Sequence, residues 1–454
     1  MSLASAETDC RLQRLQLGFV AALAGTCLVS IFAAQLAFGL AGIVFLVRLA
    51  LGRASFPRLP LDGPMLAFSV WTLLAAAFST NPVASHEEAK KLVLFLLLYL
   101  VVETVAGEGA RERVVDALLL GALALSAVML AQFYFLGFDT LNNRPRSLQG
   151  HYMTASGLVM CGLVLGASRL AFVRGRPPLP GWAELRALAL AAVPVVVLAL
   201  LQRADLFALE GERLFVVGLA AAAAWLGLRR APWPSPAGPV LLAGLCVALG
   251  TWALLISRTR SAWLGALVGL VLVAVLRAPK LLWLVGAAVL AVLAARPETV
   301  IDRLTVADAS SVDRYYMWQA GLDMIEEKPV FGQGPGMIIE IYPRYRWPQA
   351  PNPRAPHLHD NALQIAAERG LPCLVWWLWW MARAVSDSLR EFRRLRGGAS
   401  GSPWPAAAAL AVTVALTVAG VFEYNFGDSE VLMFLLFSLA MPYASRHDHS
   451  TPTS

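Results

Sequence analysis

The chain has 454 residues, 58% of them hydrophobic and only 15% charged, with a mean hydropathy of +0.62; no water-soluble fold of this size hides so much apolar surface. A soluble enzyme and a nucleic-acid-binding domain are both excluded, and the net charge of +7 reads as membrane topology.

Apolar runs follow one another at 17–33, 36–52, 62–79, 91–106, 113–137, 151–173, 185–202 and 213–228. Others lie at 239–257, 261–277, 281–295, 362–384, 405–422 and 429–445. Each has a length at or near that needed to cross the hydrocarbon core, so the expected fold is all-α and polytopic, with about 12–14 transmembrane helices. The first run follows Arg11 and Arg14 and leads at once into further spans, so it reads as a retained signal anchor. Of the cysteines, Cys27, Cys161, Cys246 and Cys373 sit in apolar runs, and with Cys10 they form no Cys-x-x-Cys pattern. Inert thiols are expected, not a disulfide framework.

With the N-terminus placed in the cytoplasm and every run crossing, most basic residues fall on the cytoplasmic side: Arg48, Arg53 and Arg58, Arg111 and Arg113, Arg169 to Arg186, Arg229 and Arg230, Arg277 and Lys280, the cluster at 383–396, and Arg446. Both termini are then cytoplasmic, and Lys90 and Lys91 are exceptions. The outward turns "SRTRS" (257–261) and "NNRPRSLQGHY" (142–152) carry Arg258, Arg260, Arg144 and Arg146, and Arg203 and Arg213 flank another. Any one of these arginines is explained by headgroup contact. As a set they point to an anionic ligand, and the choice of arginine over lysine suits bidentate phosphate binding.

The long connection 296–361 separates a first region, 1–295, from the C-terminal spans and short tail, 362–454. Its segment "SSVDRYYMWQAGLDMIEE" (310–327) predicts an amphipathic helix, with Tyr315, Trp318, Leu322 and Ile325 on the buried face and Arg314 in the first turn. "KPVFGQGPG" reads as a turn, since no strand–helix context supports a phosphate cradle. The proline-rich stretch 341–356 is expected to be extended, with Tyr342, Tyr345 and Trp347 facing either a sugar or the bilayer interface.

"PHLHDNALQIAAERG" (356–370) then spends two of six histidines at a helix mouth. His357 and His359 lack a neighbouring third ligand, and no Asp-x-Asp occurs, so no metal is expected. A general base is the remaining chemistry. The plain alternative is that Asp360 or Asn361 caps the helix and the histidines sit beside it. A transporter remains an alternative for any polytopic chain, but here charge gathers at helix ends and no internal repeat is evident. An outward site has no nucleotide pool, so a transferase there needs a pre-activated, lipid-linked donor.

"SRTRSAWLGAL" (257–267), "DRYYMWQAGLDMIEEKPVFGQGPG" (313–336) and "PHLHDNALQIAAERGLP" (356–372) together resemble, in this order, the C-terminal half of O-antigen ligases and related polymerases. The resemblance implies a GT-C-type, inverting, metal- and cofactor-independent glycosyltransferase of the bacterial inner membrane, working as a monomer with its site facing the periplasm. Its donor would be a polysaccharide on undecaprenyl diphosphate and its acceptor lipid A–core; a polymerase would use the same donor with a different acceptor. The family's catalytic histidine falls on His359, with Leu363 four residues on, and its diphosphate-binding arginines on Arg260 and Arg314. Arg258, Arg146 and His357 are second-rank candidates, and Asp360 departs from the asparagine that often follows the histidine.

Overall fold

In the computed structural model, residues 3–105, 107–173, 237–295, 300 and 309–447 are described. The expected spans 185–202 and 213–228, with Arg203 and Arg213, lie outside them, as does most of 296–308. The described residues are helical: α1 (Leu3–Thr26), α2 (Ile31–Ala50), α3 (Asp62–Ala77), α4 (Pro82–Ala89), α5 (Leu96–Thr104), α6 (Glu108–Phe135), α7 (Tyr152–Ala171), α8 (Ala237–Ser257), α9 (Arg260–Arg277), α10 (Leu282–Ala295), α11 (Ala309–Glu327), α12 (Ile338–Tyr345), α13 (Asn361–Arg396), α14 (Trp404–Ala419) and α15 (Ser429–His447). Five of them, α2, α6, α7, α8 and α9, have at least 18 residues and are apolar enough to span a bilayer; α3, α10, α14 and α15 are shorter apolar helices. The chain is a polytopic, all-helical membrane protein.

Close helix approach at the centre comes from small residues, as expected where lipid removes the hydrophobic drive for association. Gly265 and Gly269, one turn apart on α9, face α14 and α7. A Cβ on Gly265 would lie 2.7 Å from the carbonyl oxygen of Ala415, and one on Gly269 would lie 2.7 Å from Val164. At one end of the bundle the arginines expected in the cytoplasm pair with acids, of which Asp116 and Asp387 are buried. Arg48 reaches Glu103 at 2.9 Å, Arg169 holds Asp116 and Glu112, and Arg390 meets Asp387 at 2.6 Å.

The opposite end is organised by a break in α13. Gly370 has φ +81° and ψ 165°, and Pro372 lacks the N–H that would bond the carbonyl of Glu368. The turn after α11 makes good both lost rungs: Gln333 donates to Ala367 O and Gly334 to Glu368 O, each at 2.9 Å, while Leu371 turns to Pro329 O at 2.8 Å. Gly336 donates to the Glu368 carboxylate at 3.0 Å. These amides are spent on protein carbonyls and a carboxylate, so "GQGPG" is a docking turn, as its composition indicated. The apolar run expected at 362–384 therefore divides at residue 370, and the helix beyond the break runs on to Arg396.

Three other expectations are corrected. Helix α11 forms as expected, but its buried face is Asp313, Met317, Ala320 and Met324; Tyr315 and Leu322 are exposed. Small residues set the rotation, because a Cβ on Gly321 would lie 2.8 Å from Leu358. The stretch 341–356 is helical as far as Tyr345, since α12 tolerates Pro343 at the loss of one rung, and beyond it turns at residues 348–349 instead of staying extended. Tyr342 is fully buried in a small core with Met317, Ile338 and Leu358, and so faces neither sugar nor bilayer. Lys91, an exception to the charge pattern, pairs with Glu88 and donates to Gly427 O at 3.1 Å.

Candidate functional site

The side chain of Asp360 caps α13, accepting from Leu363 N at 2.7 Å, as the capping alternative requires. Capping and a chemical role for the histidines are compatible, because the next residue has a further task. Asn361 N donates to Gly420 O at 2.7 Å, its Nδ2 to Asn425 Oδ1 at 2.8 Å, and its Oδ1 accepts from Phe426 N at 3.1 Å. These bonds fasten the α14–α15 connection to the mouth of α13 and bring Glu423 against the histidines.

His359 Nδ1 lies 3.1 Å from Glu423 Oε2, and His357 Nε2 lies 3.8 Å from Glu423 Oε1. The two imidazoles meet edge to face, with ring centroids 4.1 Å apart. Leu358, between them, is buried in the small core with its N–H on Gln364 Oε1 at 2.7 Å. Burial opposes ionisation of Glu423, but the hydrogen bond from His359 and the nearby Arg314 guanidinium hold its carboxyl below the usual range. Burial pushes His357 down to about 4, so its ring is neutral near pH 7.

A cavity of about 310 Å³ opens beside this pair, lined by His151, Tyr152, Met153, Asp313, Arg314, Pro351, Asn352 and His359. With Nδ1 engaged by a carboxylate, Nε2 is the ring nitrogen of His359 left for a bound group. Asp313 ties down the proline-rich stretch beside the cavity, accepting from Asn352 N at 3.3 Å and from Asn352 Nδ2. Arg260 does not line the cavity; it donates to Ser311 Oγ at 2.8 Å, three residues before Arg314 on α11. The carbonyl of Arg258 accepts from Arg144 at 3.5 Å, and Arg144 lies 4.3 Å over the Tyr152 ring. Arg146 is exposed, 5.6 Å over Phe138.

Among the described residues, the non-glycine positions with left-handed backbone are Ser147, Arg258 and His359. All three belong to this end of the bundle. Such conformations cost about 1–3 kcal/mol each and persist where the surroundings over-determine them, which is common at functional sites.

Two participants escaped sequence reasoning. His151 stood in a segment read only for its arginines; it caps α7, its Nδ1 accepting from Met153 N at 3.4 Å, and burial lowers its pKa from the ordinary value. Glu423 sits in "FEYNFGDSE", an acid-rich connection that a count of basic residues passes over. It also corrects a premise: the histidine pair has no third donor nearby in sequence, yet the fold supplies one. In the same connection Asp428 accepts from Thr154 Oγ1 at 2.8 Å, and burial raises its carboxyl to about 7.

None of the curated proteins matches this chain. Residues 244–378, which hold Arg258, Arg260, Arg314, His357 and His359 but neither His151 nor Glu423, match the model of the O-Antigen ligase family, so this part of the polytopic membrane protein is similar to that family.

Proposed function

We propose that the protein is an O-antigen ligase, moving O-antigen polysaccharide from undecaprenyl diphosphate to a hydroxyl of lipid A–core at the periplasmic face of the inner membrane. Supporting it above all is the hydrogen bond between His359 Nδ1 and the buried Glu423 carboxylate, on the wall of a cavity that also holds Arg314. Glu423 fixes the tautomer with the proton on Nδ1 and steadies the imidazolium that forms. Nε2 of His359 takes the acceptor hydroxyl proton as that oxygen attacks the anomeric carbon. The bond from that carbon to the diphosphate breaks on the opposite face, its electron pair leaves with the diphosphate oxygen, and the configuration inverts. Arg314, with Arg260 behind it, offsets the charge that grows on the leaving group.

The test is transfer by purified protein in detergent. Polysaccharide should appear on added lipid A–core; lengthening of lipid-linked repeats without that acceptor would identify a polymerase instead. Because arginines carry the leaving-group charge, activity should survive excess EDTA and gain little from Mg²⁺. A chelator-induced loss reversed by added metal would sink that mechanism.

Sidedness is checked separately. On a cysteine-free background, Arg354→Cys should react with an impermeant maleimide on intact cells, and Arg393→Cys only after lysis; both side chains are exposed. The reverse pattern would invert the topology.

A further inference from the structure

Proton transfer by His359 uses one histidine and one carboxylate, which leaves His357 without a task. Its Nδ1 is buried with no hydrogen-bond partner. At 3.8 Å its Nε2 is also too far from Glu423 for a hydrogen bond. A residue held only for packing would not need two ring nitrogens. What the pair does share is Glu423, and one ligand atom each from His357, His359 and Glu423 lie within 4.8 Å of one another.

We propose that His357, His359 and Glu423 form a binding site for a borderline-soft divalent cation such as Zn²⁺, and that the bound cation shuts the transfer reaction off. Two imidazoles, one carboxylate and an open fourth position are the donor set of three-ligand zinc centres. Tetrahedral coordination at Zn–N distances near 2.05 Å needs ligand atoms about 3.3 Å apart, so the set closes by rotation of the His357 ring toward its neighbours. His359, one of the three ligands, lines the cavity that His151 also lines. Nitrogen donors favour Zn²⁺ over Mg²⁺, which prefers an all-oxygen octahedron. Arg314 opposes any cation here, which keeps the site weaker than a structural zinc centre and its occupancy reversible.

Inhibition follows from the tautomer. In the active dyad the proton is on Nδ1, toward Glu423, and Nε2 holds the basic lone pair. A cation taking Nδ1 moves that proton to Nε2 without net release, and the ring can no longer accept one from the acceptor. This half of the inference rests on His359 being the base; the binding half does not.

The experiment uses EDTA-stripped, full-length protein in detergent. Co²⁺ should give the visible bands of tetrahedral coordination, Zn²⁺ should displace it, and Mg²⁺ should not. His357→Ala and, separately, Glu423→Gln should weaken Zn²⁺ binding at least about tenfold, a floor set by what loss of an outer-shell partner alone costs. Unchanged melting of either variant shows that it is folded. Zn²⁺ should suppress transfer in step with occupancy, EDTA should restore it, and His357→Ala should need correspondingly more Zn²⁺ to lose half of its own metal-free rate. Absence of tetrahedral Co²⁺ bands, or equal affinity in both variants, overturns the site. Stoichiometric binding with undiminished transfer keeps the site and overturns both the inhibition and the role of His359 as base.

Discussion

His359→Ala is expected to lower glycan transfer ~10²-fold or more, the scale of losing a general base, with the fold and donor binding nearly intact. The substitution is complicated by the backbone, because His359 sits at φ +54°, where alanine is strained. His359→Asn is the cleaner variant, since asparagine tolerates the left-handed region and cannot accept a proton near pH 7. Glu423→Gln keeps the size of the side chain but removes the charge that stabilises an imidazolium, so kcat should fall with KM steady, by less than in His359→Asn. His357→Ala should be milder still. Arg260→Ala and Arg314→Ala should lose activity through the diphosphate, and lysine at either place should restore only part, because it lacks the planar fork. Near wild-type transfer by folded His359→Asn, or abolition by His357→Ala alone, would end the assignment.

Local physics made much of this legible. Spans announce themselves because lipid demands long apolar runs, and the arginine bias located Arg48, Arg169 and Arg390 at one end of the bundle. The cap at Asp360, helix α11 and the docking turn were readable because each depends on residues within one or two turns of chain. What failed to show depends on distant contacts. The rotation of α11 is set by Gly321 meeting Leu358 and Leu363, not by its own most apolar stripe. Glu423 stands 64 residues from His359, and three hydrogen bonds from Asn361 bring it there. Periodicity carries no trace of such a contact. The two cavity residues beyond easy reach, His151 and Asn352, come from separate loops that meet only once the bundle closes.

Gly370→Ala is expected to be the most damaging glycine-to-alanine change among the described residues. At φ +81° and ψ 165° the backbone lies in a region that is essentially glycine-only, and a Cβ would enter the carbonyl of Val330. The turn at 328–336 would have to lift away. With it go the bonds from Gln333 and Gly334 that satisfy Ala367 O and Glu368 O, and the bond from Leu371 to Pro329 O. Trp71 loses the Val330 half of its shared bond, and Phe331 leaves its stack between Trp71 and Phe78. Backbone strain of about 1–3 kcal/mol plus about 1 kcal/mol for each displaced hydrogen bond makes a total of roughly 4–6 kcal/mol. Because α11 carries Arg314 and leads directly into that turn, transfer should fall together with the apparent melting temperature in detergent. Gly398→Ala is the control: its φ is +106°, but a Cβ there meets nothing within 4 Å, so it carries backbone strain without the clash. If both variants melt alike, the docking of the turn on the broken helix is not what holds this end of the protein together.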